Sequence, residues 1–119
     1  MIEAYVKRVD FAPDYWISAC GRLFREKRTK GGGIREVFGC MDNYGYKRTY
    51  LYVPGHERKR LRYHQIVAWM FLNEPVEGQW LIRHLDNDKQ NNARWNLKFG
   101  TALENSYDTY RWRGEVYAR

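Results

Sequence analysis

Two short apolar runs, Trp80-Leu81-Ile82 and Leu97-Lys98-Phe99, flank a stretch in which Asp86, Asn87, Asp88, Gln90, Asn91 and Asn92 crowd together. No other feature limits the fold as strongly. A segment this polar cannot sit in a core, but its short side chains hydrogen-bond nearby backbone, so a compact ordered loop is expected. The apolar runs on either side then predict a strand, the loop and a second strand, the first strand buried. Thr101 and Glu104, three residues apart, form a capping-box pattern that opens a helix running to about Trp112, before Gly114. At roughly 100° per residue, Leu103, Tyr107 and Tyr110 share one face of that helix, while Asn105, Asp108, Thr109 and Trp112 share the other. The first face is expected to anchor the helix and the second to present polar groups.

Upstream, the chain reads as hairpins followed by one helix. Ala4-Tyr5-Val6 suits a first strand, which Pro13 keeps short. Tyr15-Trp16-Ile17-Ser18 and Arg22-Leu23-Phe24-Arg25 flank a turn at Gly21, with Trp16, Ile17, Leu23 and Phe24 expected in the core. Arg25, Lys27, Arg28 and Lys30 lead into Gly31-Gly32-Gly33, a basic, flexible loop. It is not a phosphate-binding loop, because no Gly-Lys-Ser/Thr follows. Ile34 to Phe38 predicts another strand and Asp42-Asn43-Tyr44-Gly45 a turn. Lys47 to Val53 and Glu57 to Tyr63 predict a hairpin closed by Pro54-Gly55 in a type II turn. Its strands carry Lys47, Arg48, Arg58, Lys59, Arg60 and Arg62. In the helix that follows, Ile66, Val67, Met70 and Phe71 make one apolar stripe, and His64 at its start is expected to make a structural hydrogen bond.

One hundred and nineteen residues suit a single domain. We expect subregions 1–63, basic and β-rich, and 64–119, the core helix with the strand-loop-strand-helix unit. The lack of a long apolar segment predicts a soluble, cytoplasmic protein without a membrane partner. Cys20 and Cys40 lack zinc-site spacing and are expected to be free thiols. The net charge of +7 lies entirely in residues 1–63, which hold 14 Lys and Arg against 7 Asp and Glu. Basic side chains interleaved with Tyr and Trp suit a polyanion. The same hairpin suits a DNA groove, or else an edge ribbon kept soluble by its charges.

His84, Asn96 and Asn105 fall where the three letters of an HNH endonuclease fall, and His84-Leu85-Asp86-Asn87-Asp88-Lys89, Asn91-Asn92 and Asn96-Leu97 resemble phage and intron-encoded HNH homing endonucleases. Tyr15-Trp16-Ile17-Ser18, Gly21-Arg22-Leu23, Gly45-Tyr46 and Tyr63-His64-Gln65-Ile66-Val67-Ala68 resemble the module preceding the nuclease in those proteins. Together the matches span about residues 14 to 109. The resemblance implies an α+β fold, a hairpin-rich part plus a helix followed by a ββα-metal motif. It implies a metal-dependent DNA endonuclease acting as a monomer on double-stranded DNA, in the host cytoplasm if phage-encoded. It gives His84 the role of general base, Asn96 that of holding the loop and Asn105 that of a ligand to one divalent cation, magnesium or manganese rather than zinc, with His64 supporting.

One position departs from the family. The residue before the histidine is typically Asp or Asn and binds the metal; here it is Arg83, whose guanidinium has only donors. Asp108 would then supply the missing carboxylate, Arg83 would itself offset phosphate charge, or the site would be inactive. Two function classes follow: an endonuclease that cuts or nicks DNA, and a catalytically impaired DNA-binding accessory or regulatory protein.

Overall fold

In a computed structural model of the chain, residues 5–27 and 30–106 are described. Their nine strands form three small antiparallel sheets. The first holds β1 (Val6–Arg8), β2 (Tyr15–Ser18), β3 (Leu23–Glu26) and β4 (Ile34–Val37) in sequence order. The second holds β5 (Cys40–Met41), β6 (Lys47–Leu51) and β7 (Lys59–Arg62), and the third pairs β8 (Leu81–His84) with β9 (Leu97–Gly100). Helix α1 (Tyr63–Phe71) separates the second sheet from the third in sequence. This is the α+β arrangement expected.

The reason the sheets stay together is α1. Its apolar stripe, with Ile66, Val67 and Ala68 buried, touches strands of all three sheets. Around it lies one cluster that includes Val9, Tyr15, Ile17, Leu23, Leu51, Tyr63 and Leu97. Each sheet alone is too small to bury a face from water, so packing on a shared helix supplies the apolar burial that a two-stranded or three-stranded sheet lacks. Tyr63 completes the junction. Its hydroxyl donates to the Val37 carbonyl at 2.6 Å, and burial pushes its ionisation up to about 12.

Several boundaries shift from the sequence expectation. The first strand spans Val6–Arg8, without Tyr5, while Ala4 lies outside the described residues, and Tyr63, expected to end a strand, opens α1. His56 N–H donates to the Val53 carbonyl at 3.0 Å across Pro54-Gly55, closing the expected turn. Trp80 is 66% exposed and precedes β8, so the first strand of the last hairpin is less buried than its composition suggested. Cys20 and Cys40 are exposed and not joined to each other.

Because Ile66 is wholly buried where α1 meets the sheets, Ile66→Ala should cost about 2–5 kcal/mol of stability. Urea unfolding would measure it, and a loss below about 1 kcal/mol would mean that the helix is not the shared core element.

Candidate active site

The loop between β8 and β9 is built around Asp86 and Asn96. Asn96 accepts from the Asp86 N–H at 3.0 Å and donates from Nδ2 to Asp86 Oδ1 at 2.8 Å and to the Asn91 carbonyl at 2.9 Å. Asp86 also accepts from Asp88 N–H and Asn91 Nδ2, each at 2.8 Å. Burial opposes its charge, yet these donors hold the Asp86 carboxyl below its usual range. Asn87 takes φ 62°, a left-handed conformation that asparagine tolerates better than most residues. The polar loop thus carries its order in its own hydrogen bonds, and Asn96 is the buried hub.

At the mouth of this loop stands His84, the last residue of β8 and largely buried. Its Nε2 lies 3.0 Å from Oδ1 of buried Asn92. An amide oxygen only accepts, so Nε2 carries the hydrogen and Nδ1 is left with its lone pair. Two rings from upstream pack on it. The His64 and His84 centroids are 5.0 Å apart in an edge-on contact, and Tyr46 lies 5.0 Å from His64 and 5.8 Å from His84.

Tyr46 reaches this position because Asp42 folds the turn between β5 and β6. Its carboxylate accepts from the Tyr44 and Tyr46 N–H groups at 2.8 and 3.0 Å and pairs with Arg62 Nε at 2.7 Å. Arg62 in turn lies over the Tyr46 ring at 4.2 Å, with Lys89 on the same ring at 4.9 Å. Arg62, expected on the DNA-facing hairpin, is the last residue of β7 and also pairs with Asp42 beside the site.

Both histidines are held neutral. Burial, then the neighbouring His84 and Arg62, pushes His64 down to about 3. For His84 burial again dominates and lowers the value, against the opposing pull of Asn92, Asp86 and Asp88. His64 Nδ1 has no hydrogen-bond partner among the described residues, so the structural bond expected there is not made at that nitrogen.

Arg83, on the other side of β8, packs over Gly100 and pairs through Nη1 with Glu104 Oε2 at 3.3 Å. Glu104 is the capping-box residue: Thr101 N–H donates to its Oε1 at 2.9 Å, and its own N–H donates to Thr101 Oγ1 at 3.0 Å. Asn105 follows in the helical residues 102–106, while Leu103, expected to anchor that helix, is 79% exposed. Asp108 and Arg28 lie outside the described residues. Among those described, no three His, Cys, Asp or Glu side chains gather as metal ligands. With a guanidinium beside Asn105's helix and Glu104 committed to it, this donor set does not by itself fit a divalent cation.

Several other basic residues lie over aromatic rings, and Arg48 and Arg60 line a cavity with Asp42, Tyr44 and Arg62. Arg58 lies over Tyr50 at 4.8 Å, Arg48 over the same ring at 5.7 Å and Arg25 over Tyr52 at 4.7 Å. Lys27, Lys59 and Arg60 are exposed, and Lys47 covers the Tyr63 ring at 4.5 Å. In the first sheet Arg25 faces Arg35 directly across the strands, a like-charge pairing that costs stability unless an anion relieves it.

Asn92, Asp86 and Tyr46 were not singled out as site residues from sequence. The tandem Asn91-Asn92 and the Gly45-Tyr46 pair were visible as motifs, but nothing in their spacing indicated contact with His84.

Residues 62–107 match the family model described as HNH endonuclease. The chain is also similar to a solved structure titled "DNA binding and cleavage by the HNH homing endonuclease I-HmuI", at 25% identity and a TM-score of 0.71. That likeness covers 92% of this chain, which spans 59% of the length of the other. No curated protein sequence matches. The matches bear out the resemblance carried by the motifs, and the family model covers His84, Asn96 and Asn105. Among the described residues no helix is long and apolar enough to cross a membrane.

A buried histidine that stays neutral when folded takes up its proton more readily unfolded, so its stability contribution is full above about pH 6.5 and falls on acidification. For His64 the loss continues down to about 3. Unfolding free energy should therefore drop between about pH 7 and about pH 5.5, by up to about 1.4 kcal/mol per unit for each such group. His64→Gln should drop less over the same interval; equal slopes in the two proteins would show that His64 titrates normally.

Proposed function

We propose that this chain is an HNH-type endonuclease that cuts or nicks double-stranded DNA, with His84 as the general base. The observation that carries this reading is a neutral, buried His84 whose Nε2 is occupied by Asn92, within the region matched by the HNH endonuclease model. Hydrolysis of a phosphodiester needs a group that removes the proton from the attacking water. In this reading that proton passes to Nδ1 of His84, and Asn92 and Tyr46 accompany the imidazolium that forms. Asn96 acts only by holding the loop.

Charge on the phosphate is the second requirement. Arg83 lies on the opposite side of β8 and pairs with Glu104, while Lys89 and Arg62 lie over the Tyr46 ring beside the histidines; in this reading these cations offset charge on the phosphate. A divalent cation, magnesium or manganese, would supply Lewis-acid stabilisation when bound. Its donors in this proposal are Asn105 and Asp108, and no step is assigned to it. Arg25, Arg48, Arg58, Lys59, Arg60 and Arg62 bind the DNA backbone, with Lys27 and Lys47 on the same basic part, and Arg62 also pairs with Asp42 beside the site. One observation favours a second reading, a silent DNA-binding accessory: the Arg83–Glu104 pair stands where the family carries a metal ligand.

Incubation of the protein with supercoiled and linear DNA, with magnesium, manganese or a chelator, separates the readings. We expect cleavage by the parent and none by His84→Ala at unchanged DNA affinity. A parent that binds but never cuts, while Arg83→Asp cuts with magnesium, would establish the accessory reading instead.

Replacing Arg58, Lys59 and Arg60 by glutamine should weaken DNA binding and flatten its salt dependence, each lost phosphate contact lowering the log–log slope by about one. An unchanged slope would move the DNA elsewhere on the surface.

A further inference from the structure

We infer that Asn92 is a positioning residue for His84 and that Gly21, on the β2–β3 turn, sets Asn92 in place, so that the N-terminal sheet helps to orient the base. The inference rests on the proposed role of His84, but its geometric content is independent of activity.

Asn92 and His84 are both buried, and the 3.0 Å bond between them is therefore shielded from competing water. A ring held at one nitrogen has one tautomer and a limited range of rotation. His64 and Tyr46 pack against the same ring through ring contacts, so the amide is the polar contact that selects which nitrogen keeps a lone pair.

What fixes Asn92 lies some seventy residues upstream. A Cβ placed on Gly21 would stand 2.9 Å from the Asn92 carbonyl oxygen and 3.0 Å from its Cβ, so any side chain there must push the loop. Gly21 also has φ +94°, which an L-residue rarely adopts. The turn that presents it is braced. Gly21 N–H donates to the Ser18 carbonyl at 3.0 Å, and Arg22 N–H donates to Ser18 Oγ at 2.9 Å. Two residues along each segment, Arg94 N–H donates to the Ala19 carbonyl at 2.7 Å, tying the loop directly to this turn. On the opposite side, Lys89 Nζ donates to the Tyr44 carbonyl at 2.9 Å and Gln90 Nε2 to that of Gly45. The loop that carries Asn92 is thus gripped by turns from both upstream sheets.

The test reads the His84 tautomer by long-range ¹H–¹⁵N NMR at neutral pH, in the full chain. The parent should show a protonated Nε2 and an unprotonated Nδ1. Asn92→Asp, which keeps an acceptor, should retain that pattern, and Asn92→Leu should give mixed tautomers. Gly21→Ala should shift His84 towards the mixed pattern although Asn92 is untouched, whereas Gly78→Ala should not, since Gly78 also has positive φ, +85°, but faces open space. Ser18→Ala, which only loosens the turn, provides the same readout if Gly21→Ala does not fold. In cleavage assays Asn92→Leu should lower kcat by about 10- to 100-fold with KM unchanged, and Asn92→Asp should restore most of it. A protonated Nδ1 in the parent would overturn the role of Asn92. Folded Gly21→Ala and Ser18→Ala variants with the parent pattern would overturn that of the turn. Absence of cleavage by the parent would remove the endonuclease reading while the NMR result stands by itself.

Discussion

Burial of one nine-residue helix is the constraint from which the remaining structure follows. No sheet here has enough strands to enclose a core, and α1 offers its apolar stripe to all three. The same helix begins with Tyr63 and His64. Once Ile66 and Val67 are buried, helical geometry leaves little freedom in where those two side chains point. Tyr63 reaches back to β4 and His64 comes to rest on His84. Packing and site geometry are therefore consequences of one burial event.

The loop beside it obeys different physics. Asp86 and Asn96 give it an interior of hydrogen bonds instead of apolar contacts, and its stability depends on every donor and acceptor finding a partner. Such networks are intolerant of single changes, because removing one member leaves the others desolvated and unpaired. The hairpin needs this stiffness, since β8 and β9 are four residues each and Trp80 and Leu81 remain exposed.

Features written in adjacent residues were legible in the sequence: the capping box at Thr101 and Glu104, the turn at Pro54-Gly55, the stripe of α1 and the hairpin at Gly21. Features that depend on distant partners were not. Asn92 is one of several loop amides until the fold brings it to His84, and Tyr46 is one of ten tyrosines until Asp42 turns it inward. Arg62 reads as one more cation on a basic ribbon, yet a carboxylate twenty residues earlier claims it. Leu103 is exposed for a related reason: helical periodicity tells which residues share a face, not whether a given one is covered, and the face's other members, Tyr107 and Tyr110, lie outside the described residues.

Arg83 and Gly100 belong to neighbouring strands of the last hairpin, and the arginine stem lies where a side chain at residue 100 would begin. The two positions are thus one steric unit. An arginine at 83 in this conformation favours glycine at 100, since a side chain there would have to displace the arginine stem, whereas a short carboxylate at 83 would remove that contact and leave room for a larger residue at 100. Among chains built on this hairpin, the identity of the residue before the histidine should therefore covary with that of the last residue of the following strand. Which side chain stands before the histidine is, at this point, set jointly by two strands rather than by one position.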